Sequence, residues 1–303
     1  MLRQFNIKWL KWIDGIDLPE KQIEEILESY DFHELDIEAA LEANQRARID
    51  SYDDYLFLTL HFPKYNQIQK IYNLNEFHVF VWKDFLITLR DFEGRYIDDI
   101  FSKYQNREEN EYDVDISPGL VLYEIIQAML EKMFQVSKNI RKDIRMIEKE
   151  VFQASTSPQV REILIKKRNI IVLKHMFQPQ MWVLIALENH MKKFFNEDIE
   201  AYFEDLEDKL QRIITDILIL EEQVESLEDA FKSLIDIQTN NTVRLLTIFS
   251  AFMLPLTFIT SFYGMNIDSL PFVHAPWFVY FLMFISIVVL TTFYYIYQKR
   301  RKI

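Results

Sequence analysis

Five neutral polar side chains recur at helical spacing in an apolar stretch near the C-terminus, with three aliphatic residues on about the same face. The stripe consists of Asn240, Val243, Leu246, Thr247, Ser250, Leu254, Thr257 and Ser261. Hydroxyl and amide oxygens are the ligand type that hard cations such as Mg²⁺ accept, so this stripe could line an ion pathway. Serine and threonine also hydrogen-bond across packed membrane helices. The spacing alone leaves both functions open.

One apolar span contains most of this stripe, and a second apolar span follows it. Residues 245–263 and 277–297 are free of Asp, Glu, Lys and Arg, and each is about 20 residues long, the length of a membrane-spanning helix. Arg244 precedes the first span and the basic tail 299–302 follows the second. The positive-inside rule then predicts cytoplasmic termini and a short external loop in a multi-pass protein of the inner (plasma) membrane. One chain with two spans cannot enclose a pore, so an ion pathway requires an oligomer.

Composition excludes several functions for the part that precedes the membrane. Residues 1–238 hold 29 basic and 46 acidic side chains, a formal charge of −17, which disfavours nucleic acid and favours cations as partners. The absence of cysteine excludes disulfides and thiolate metal sites. The six histidines lack paired ligand spacing, and no nucleophile or phosphate-loop motif occurs. The sequence therefore predicts no enzyme and no catalytic residue.

Hydrophobic periodicity predicts the elements that position the stripe. Alternation in residues 1–13 predicts a first strand, residues 19–30 and 34–43 read as two short helices, and the extended runs in 48–62 and 70–91 predict a small mixed sheet. Beyond Gly119 the chain reads as two long antiparallel helices and a third that runs from about residue 199 into the membrane. Apolar residues at 3/4 spacing between positions 206 and 237 predict that this third helix packs in a bundle.

The segment TNNTVRLLTIFSAFMLPLTFITSFYGMNID, residues 239–268, resembles the C-terminal core of the CorA magnesium transporters, whose Gly-Met-Asn signature stands here at 264–266. The order of elements agrees over nearly the whole chain, and the N-terminal quarter matches only in pattern. The resemblance implies a funnel-shaped homopentamer that combines an α/β cytoplasmic domain, a long-helix stalk and two C-terminal transmembrane helices. The expected segments are 1–118 (α/β domain), 119–198 (helix pair), 199–242 (cytoplasmic stalk), 243–263 (pore helix), 264–276 (signature loop), 277–297 (second span) and 298–303 (basic tail).

The resemblance also implies roles for individual residues around the pore. Gly264, Met265 and Asn266 would form the selectivity filter at the outer entrance, where the Asn266 amide meets a hydrated ion, and Asp268 would attract cations there. Thr257 and Asn240 match pore-facing polar positions. The aliphatic residues of the stripe match the hydrophobic constriction, although valine and leucine replace methionines often found at positions 243 and 254. Mg²⁺ is then both the transported and the regulatory ion, with no catalytic cofactor.

Regulation in the resembled family depends on intracellular Mg²⁺ that bridges acidic residues of neighbouring cytoplasmic domains. Asp205 matches one half of that site, whereas the opposing position is Asn66, where the family often has an acid. An amide oxygen carries less charge than a carboxylate, so the sequence predicts weaker closure by Mg²⁺. Asp205 could equally be a solvated acid of the stalk.

Two other functions remain compatible with the sequence. The first is transport of Zn²⁺, Co²⁺ or Ni²⁺ by a member of the same superfamily, although Met265 favours magnesium. The second is a two-span sensor or scaffold that conducts no ion, for which the long stalk would suffice.

Overall fold

The computed structural model divides into two compact units, Met1–Asp229 and Ala230–Ile303. The residues that it describes are 1–7, 10–42, 45–91, 94–106, 116–153, 157–194, 197–265 and 276–300. Among these described residues, the elements that precede the long helices are β1 (Leu2–Ile7), β2 (Leu10–Ile16), α1 (Glu20–Glu28), α2 (Glu34–Leu41), β3 (Arg48–Ser51), β4 (Leu56–Asn66), β5 (Ile71–Val81), β6 (Phe85–Arg90) and α3 (Arg95–Gln105). The long helices are α4 (Pro118–Gln153), α5 (Ser157–Phe194), α6 (Glu197–Tyr263) and α7 (Pro276–Arg300).

The strands form one six-stranded sheet in the order β1-β2-β6-β5-β4-β3. Only the β2–β6 pair is parallel among the described strands, so the prediction of a mixed sheet is confirmed. The single strand predicted for residues 1–13 is wrong, because β1 and β2 form an antiparallel pair there. Most of β2 is buried, so its sequence lacks the alternation that marks a half-exposed strand.

Helices cover both faces of this sheet. Phe57 and Phe80 pair across β4 and β5 and pack in one apolar cluster with Leu27 of α1 and Ala39 of α2. Alternation along a strand turns the next residues to the other face, where Phe62 of β4 contacts Phe177 of α5 at a ring-centroid distance of 6.4 Å. The sheet of the first unit is therefore the middle layer between α1–α2 and the longer helices.

The N-terminal half of α6 packs as its apolar spacing predicts. Leu206, Leu210, Ile213, Ile217, Leu220 and Val224 are all buried. Ion pairs flank this stripe, and they include Arg141 of α4 with Asp216 at 2.8 Å and Lys174 of α5 with Glu221 at 2.7 Å. The bundle of α4, α5 and α6 is thus held by an apolar seam with charged edges.

Three helices among the described residues are long and apolar enough to cross a membrane, by length and composition: α5, α6 and α7. In its most apolar stretch, 44% of the residues of α5 are buried, and this helix contacts β3, β4 and β5. Its apolar residues therefore pack against the sheet. The most apolar stretches of α6 and α7 contain no buried residue. These two helices contain the two spans that the sequence predicts.

Candidate functional site

The polar stripe lies on the C-terminal part of α6, which continues as helix to Tyr263 with Pro255 inside it. The eight residues that sequence analysis selects there are all exposed: Asn240, Val243, Leu246, Thr247, Ser250, Leu254, Thr257 and Ser261. The three aliphatic members are exposed by more than half, with 70% for Leu254. The second unit, taken by itself, therefore leaves the whole stripe uncovered.

A second stripe on the same part of α6 is half-buried. It consists of Arg244, Ile248, Phe252, Pro255, Leu256, Ile259 and Tyr263. Because successive residues are about 100° apart around a helix, the centres of the two stripes lie on roughly opposite sides of α6. Half-buried residues of α7 also recur at a spacing of four, at Phe278, Leu282, Ser286, Leu290 and Tyr294, with Val279 and Met283 beside the first two. Each of these two apolar helices thus has one partly covered face, and on α6 that face is turned away from the polar stripe.

The threonines of the stripe bond to their own helix. The Oγ1 hydroxyl of Thr247 donates to the carbonyl of Val243 and that of Thr257 to the carbonyl of Met253, both at 2.8 Å. Each hydroxyl proton is therefore used, and the lone pairs of the oxygen stay available as acceptors. Ser250 and Ser261 form no hydrogen bond through their side chains with any residue that the structure describes. The stripe consequently presents oxygen acceptors without fixed charge.

The helix ends where the signature begins. The amide of Gly264 donates to the carbonyl of Thr260 at 2.9 Å, and a Cβ on Gly264 would lie 2.8 Å from the same oxygen. Glycine is therefore needed for this close approach of the backbone at the last turn. Met265 is 51% exposed. Asn266 and Asp268, with the rest of the predicted loop, lie outside the described residues.

Asp205 of α6 has two partners within the first unit. Its carboxylate accepts from Tyr123 Oη at 3.1 Å and from Lys209 Nζ at 2.6 Å. Burial tends to raise the pKa of Asp205, but the bonds from Lys209 and Tyr123 outweigh it and lower that pKa below its usual value. Burial and the carboxylate together raise the pKa of Tyr123 to about 12. Asp205 is thus held as a carboxylate at neutral pH.

Asn66 closes the turn between β4 and β5. Its Oδ1 accepts from the backbone amides of Ile68 at 3.0 Å and Gln69 at 3.1 Å. The turn lies at the N-terminal end of α5, as the ion pair of Lys70 with Glu162 indicates. The start of α6 lies beside the C-terminal end of α5, where Lys192 pairs with Glu200. The length of α5 between these points is on the order of 45 Å, at about 1.5 Å per residue. The chain therefore does not bring Asn66 and Asp205 together.

His61 and His78 are neighbours in the sheet, but each imidazole ring already contacts other protein groups. His78 bonds Thr59 at 3.1 Å and lies 3.3 Å from Glu76, and His61 Nε2 lies 2.9 Å from the carbonyl of Gln45. Burial lowers the pKa of His61, which keeps it neutral. Within the described ranges, no three histidine, aspartate or glutamate side chains are arranged to hold a metal ion.

Sequence reasoning missed two buried amides of α5 that bind the free edges of strands. Gln180 accepts from the His61 amide at 3.0 Å and donates to the His61 carbonyl at 2.9 Å. Asn169 accepts from the Tyr72 amide at 3.1 Å and donates to the Lys70 carbonyl at 2.9 Å. Each side chain therefore takes the place of a neighbouring strand. No local pattern marks such residues, because their partners lie about 100 positions away.

Comparison with known proteins identifies the family of this arrangement. The family described as CorA-like Mg²⁺ transporter protein matches residues 8–301. The cobalt/magnesium transport protein CorA of Thermotoga maritima is 24% identical over 259 residues, which cover 84% of this chain and 72% of that protein. The zinc transport protein ZntB of Pectobacterium carotovorum is 22% identical over 245 residues, 80% and 73% of the two chains. The complete structure of the CorA magnesium transporter from Methanocaldococcus jannaschii shares the fold, with a TM-score of 0.80 at 18% identity over 97% and 92% of the chains.

Proposed function

The chain belongs to the CorA-like Mg²⁺ transporter family, and we propose that it is one subunit of a homopentameric Mg²⁺ channel in the inner membrane with both termini in the cytoplasm. The observation that carries this proposal is the uncovered polar stripe of α6, which lies opposite the half-buried face of the same helix. Five copies that turn this face toward a common axis would surround a path lined by neutral oxygens and small aliphatic side chains. Residues 264–276 then form the outer mouth.

The chemistry of the lining suits a hydrated divalent ion. Mg²⁺ gives up its water reluctantly and prefers oxygen ligands, so a ring of Asn266 amides would hold it through its water shell. A ring of carboxylates at the same place would bind the ion more tightly and slow its release. Asp268 would raise the local cation concentration, and rings of Val243, Leu246 and Leu254 would close the path by excluding water.

The driving force needs no chemical reaction. An inside-negative membrane potential contributes about 2.3 kcal/mol per charge per 100 mV, and a divalent ion gains twice that amount. Passive entry of Mg²⁺ is therefore favourable without ATP.

Uptake by liposomes tests the proposal. The full-length chain is reconstituted with an internal Mg²⁺ indicator, and a K⁺ gradient with valinomycin sets the potential. We expect uptake that rises with inside-negative potential and falls at least tenfold in Asn266→Ala. Asn240→Ala should change the rate, whereas its matched control Asn241→Ala should not, because Asn241 is also exposed but lies about 100° around α6 from Asn240 and roughly opposite the centre of the polar stripe. Uptake that is absent in the wild type would support a non-conducting sensor or scaffold instead.

We propose further that intracellular Mg²⁺ closes the channel weakly through Asp205 and Asn66 of neighbouring subunits. Within one chain these residues lie far apart, so the site needs two copies. Mg²⁺ would have to compete with Lys209 for the Asp205 carboxylate, and Asn66 contributes no charge. Calorimetric titration of Mg²⁺ into residues 1–238 should give weak binding that Asp205→Ala reduces and Asp208→Ala, an exposed neighbour, leaves unchanged. Tight binding that Asp205→Ala does not alter would contradict this site.

A transition-metal substrate is the alternative, because a zinc transport protein is among the relatives. Competition of Zn²⁺, Co²⁺ and Ni²⁺ with Mg²⁺ uptake in the same liposomes distinguishes a magnesium channel from a transition-metal transporter. We expect Mg²⁺ to be carried when each ion is offered alone at equal activity. Uptake of Zn²⁺ without uptake of Mg²⁺ would favour the alternative.

A further inference from the structure

A cavity of about 520 Å³ lies in the first unit between the β4–β5 end of the sheet and helices α4 and α5. We refer to it as the tyrosine cavity, because Tyr65, Tyr72 and Tyr96 form its walls. Its floor is apolar and includes Phe62 and Met133, which are 4% and 1% exposed. A mostly apolar cavity of this size with a few polar groups is the usual form of a small-molecule site.

The walls of the cavity offer flat aromatic surface and hydrogen-bond donors. The rings of Tyr65 and Tyr72 lie 4.9 Å apart at an interplanar angle of 50°. The hydroxyls of Tyr72 and Tyr96 have no hydrogen-bond partner among the residues that the structure describes. Burial raises the pKa of both to about 12, so both remain protonated and can donate to an acceptor.

The rim of the cavity is positively charged, in contrast to the rest of the acidic unit. Lys166 pairs with Asp143, and Lys132 is exposed without a carboxylate partner in the described part of the chain. These three side chains leave a net charge of +1, whereas residues 1–238 carry −17. An anion that the unit otherwise repels would find a favourable position here.

We propose that the tyrosine cavity binds a small ligand in which a flat aromatic ring carries an anionic group, such as a nucleoside monophosphate. The aromatic ring of the ligand lies against the tyrosines and the methionine of the floor. The anionic group accepts hydrogen bonds from the Lys132 ammonium and from a tyrosine hydroxyl. Asn169, one of the amides that hold α5 to the sheet, also lines this cavity. A bound ligand would therefore contact both the sheet and helices α4 and α5.

Calorimetry with AMP, adenosine and inorganic phosphate tests the proposal on the full-length protein in Mg²⁺-free buffer. We expect saturable AMP binding. Adenosine and phosphate should each bind at least tenfold more weakly, because adenosine lacks the anionic group and phosphate lacks the aromatic ring. Lys132→Gln and Tyr72→Phe should each weaken AMP binding about tenfold, the equivalent of one hydrogen bond or ion pair. Lys138→Gln, an exposed lysine of the same helix outside the cavity, should bind as the wild type does.

A second measurement needs no variant. AMP should protect Lys132, and not Lys138, from acetylation as followed by mass spectrometry. Absence of saturable AMP binding, phosphate that binds as tightly as AMP, or equal acetylation of both lysines with and without AMP would overturn the proposal. The test does not involve transport, so its outcome is independent of the proposed channel activity.

Discussion

Replacement of Gln180 by methionine tests whether a side-chain amide holds α5 to the edge of β4. Methionine has nearly the shape and helix propensity of glutamine, so the change removes the hydrogen bonds and little else. The amide and the carbonyl of His61 would both lose their partners at a residue that is 5% exposed. Each buried unsatisfied group costs about 1–3 kcal/mol. We therefore expect the free energy of unfolding to fall by roughly 2–6 kcal/mol.

Urea denaturation of residues 1–229, followed by circular dichroism, measures this loss. The soluble domain of the Methanocaldococcus jannaschii relative was solved by itself, which supports work on the corresponding part of this chain. Gln178→Met is the matched control, because Gln178 lies two residues away on the exposed side of α5, and it should stay within about 0.5 kcal/mol of the wild type. Hydrogen exchange at the His61 amide should accelerate only in Gln180→Met. A loss in Gln180→Met no larger than in the control would refute the reasoning.

Three further perturbations follow from the buried charges and from the end of α6. Asp14→Asn should lower the free energy of unfolding in urea by about 3–5 kcal/mol, since Asp14 pairs at 3.0 Å with Arg90 and both side chains are fully buried. Burial tends to raise the pKa of Asp98, but bonds from two arginines outweigh it and lower that pKa. The stability that Asp98 contributes is therefore present above pH of about 4 and lost as the pH falls through its lowered pKa. In Asp98→Asn, the free energy of unfolding in urea should depend less on pH in that range. Gly264→Ala should reduce Mg²⁺ uptake with the oligomer intact by gel filtration, because its Cβ would lie 2.8 Å from the Thr260 carbonyl and displace the end of the helix.

The elements that follow from local patterns were predictable from the sequence. The apolar 3/4 spacing of α6 and the length of α7 are properties of single helices, and the structure confirms both. Only the end of the apolar spacing differs, because Ile237 is 58% exposed. The Gly-Met-Asn signature is local as well, which is why the family could be recognised before the fold was known.

Features that depend on distant contacts were not predictable. Asp14 bonds Arg3, Thr88 and Arg90, and nothing in a single stretch of sequence relates these positions. The separation of Asn66 from Asp205 likewise follows from the direction of α5 across the sheet. A resemblance could match both residues to a site, but only the packing of the first unit shows that one chain cannot complete it.

The contrast between threonines and serines on α6 bears on what covers the polar stripe. The hydroxyls of Thr247 and Thr257 are satisfied by their own helix, so lipid could tolerate them at little cost. Ser250 and Ser261 make no side-chain hydrogen bond within the described residues, and unsatisfied polar groups in hydrocarbon are costly. Lipid is thus the least favourable cover for this face. Water, or the same face of another copy of the chain, satisfies these groups, and both arrangements arise when several copies turn the stripe toward one axis.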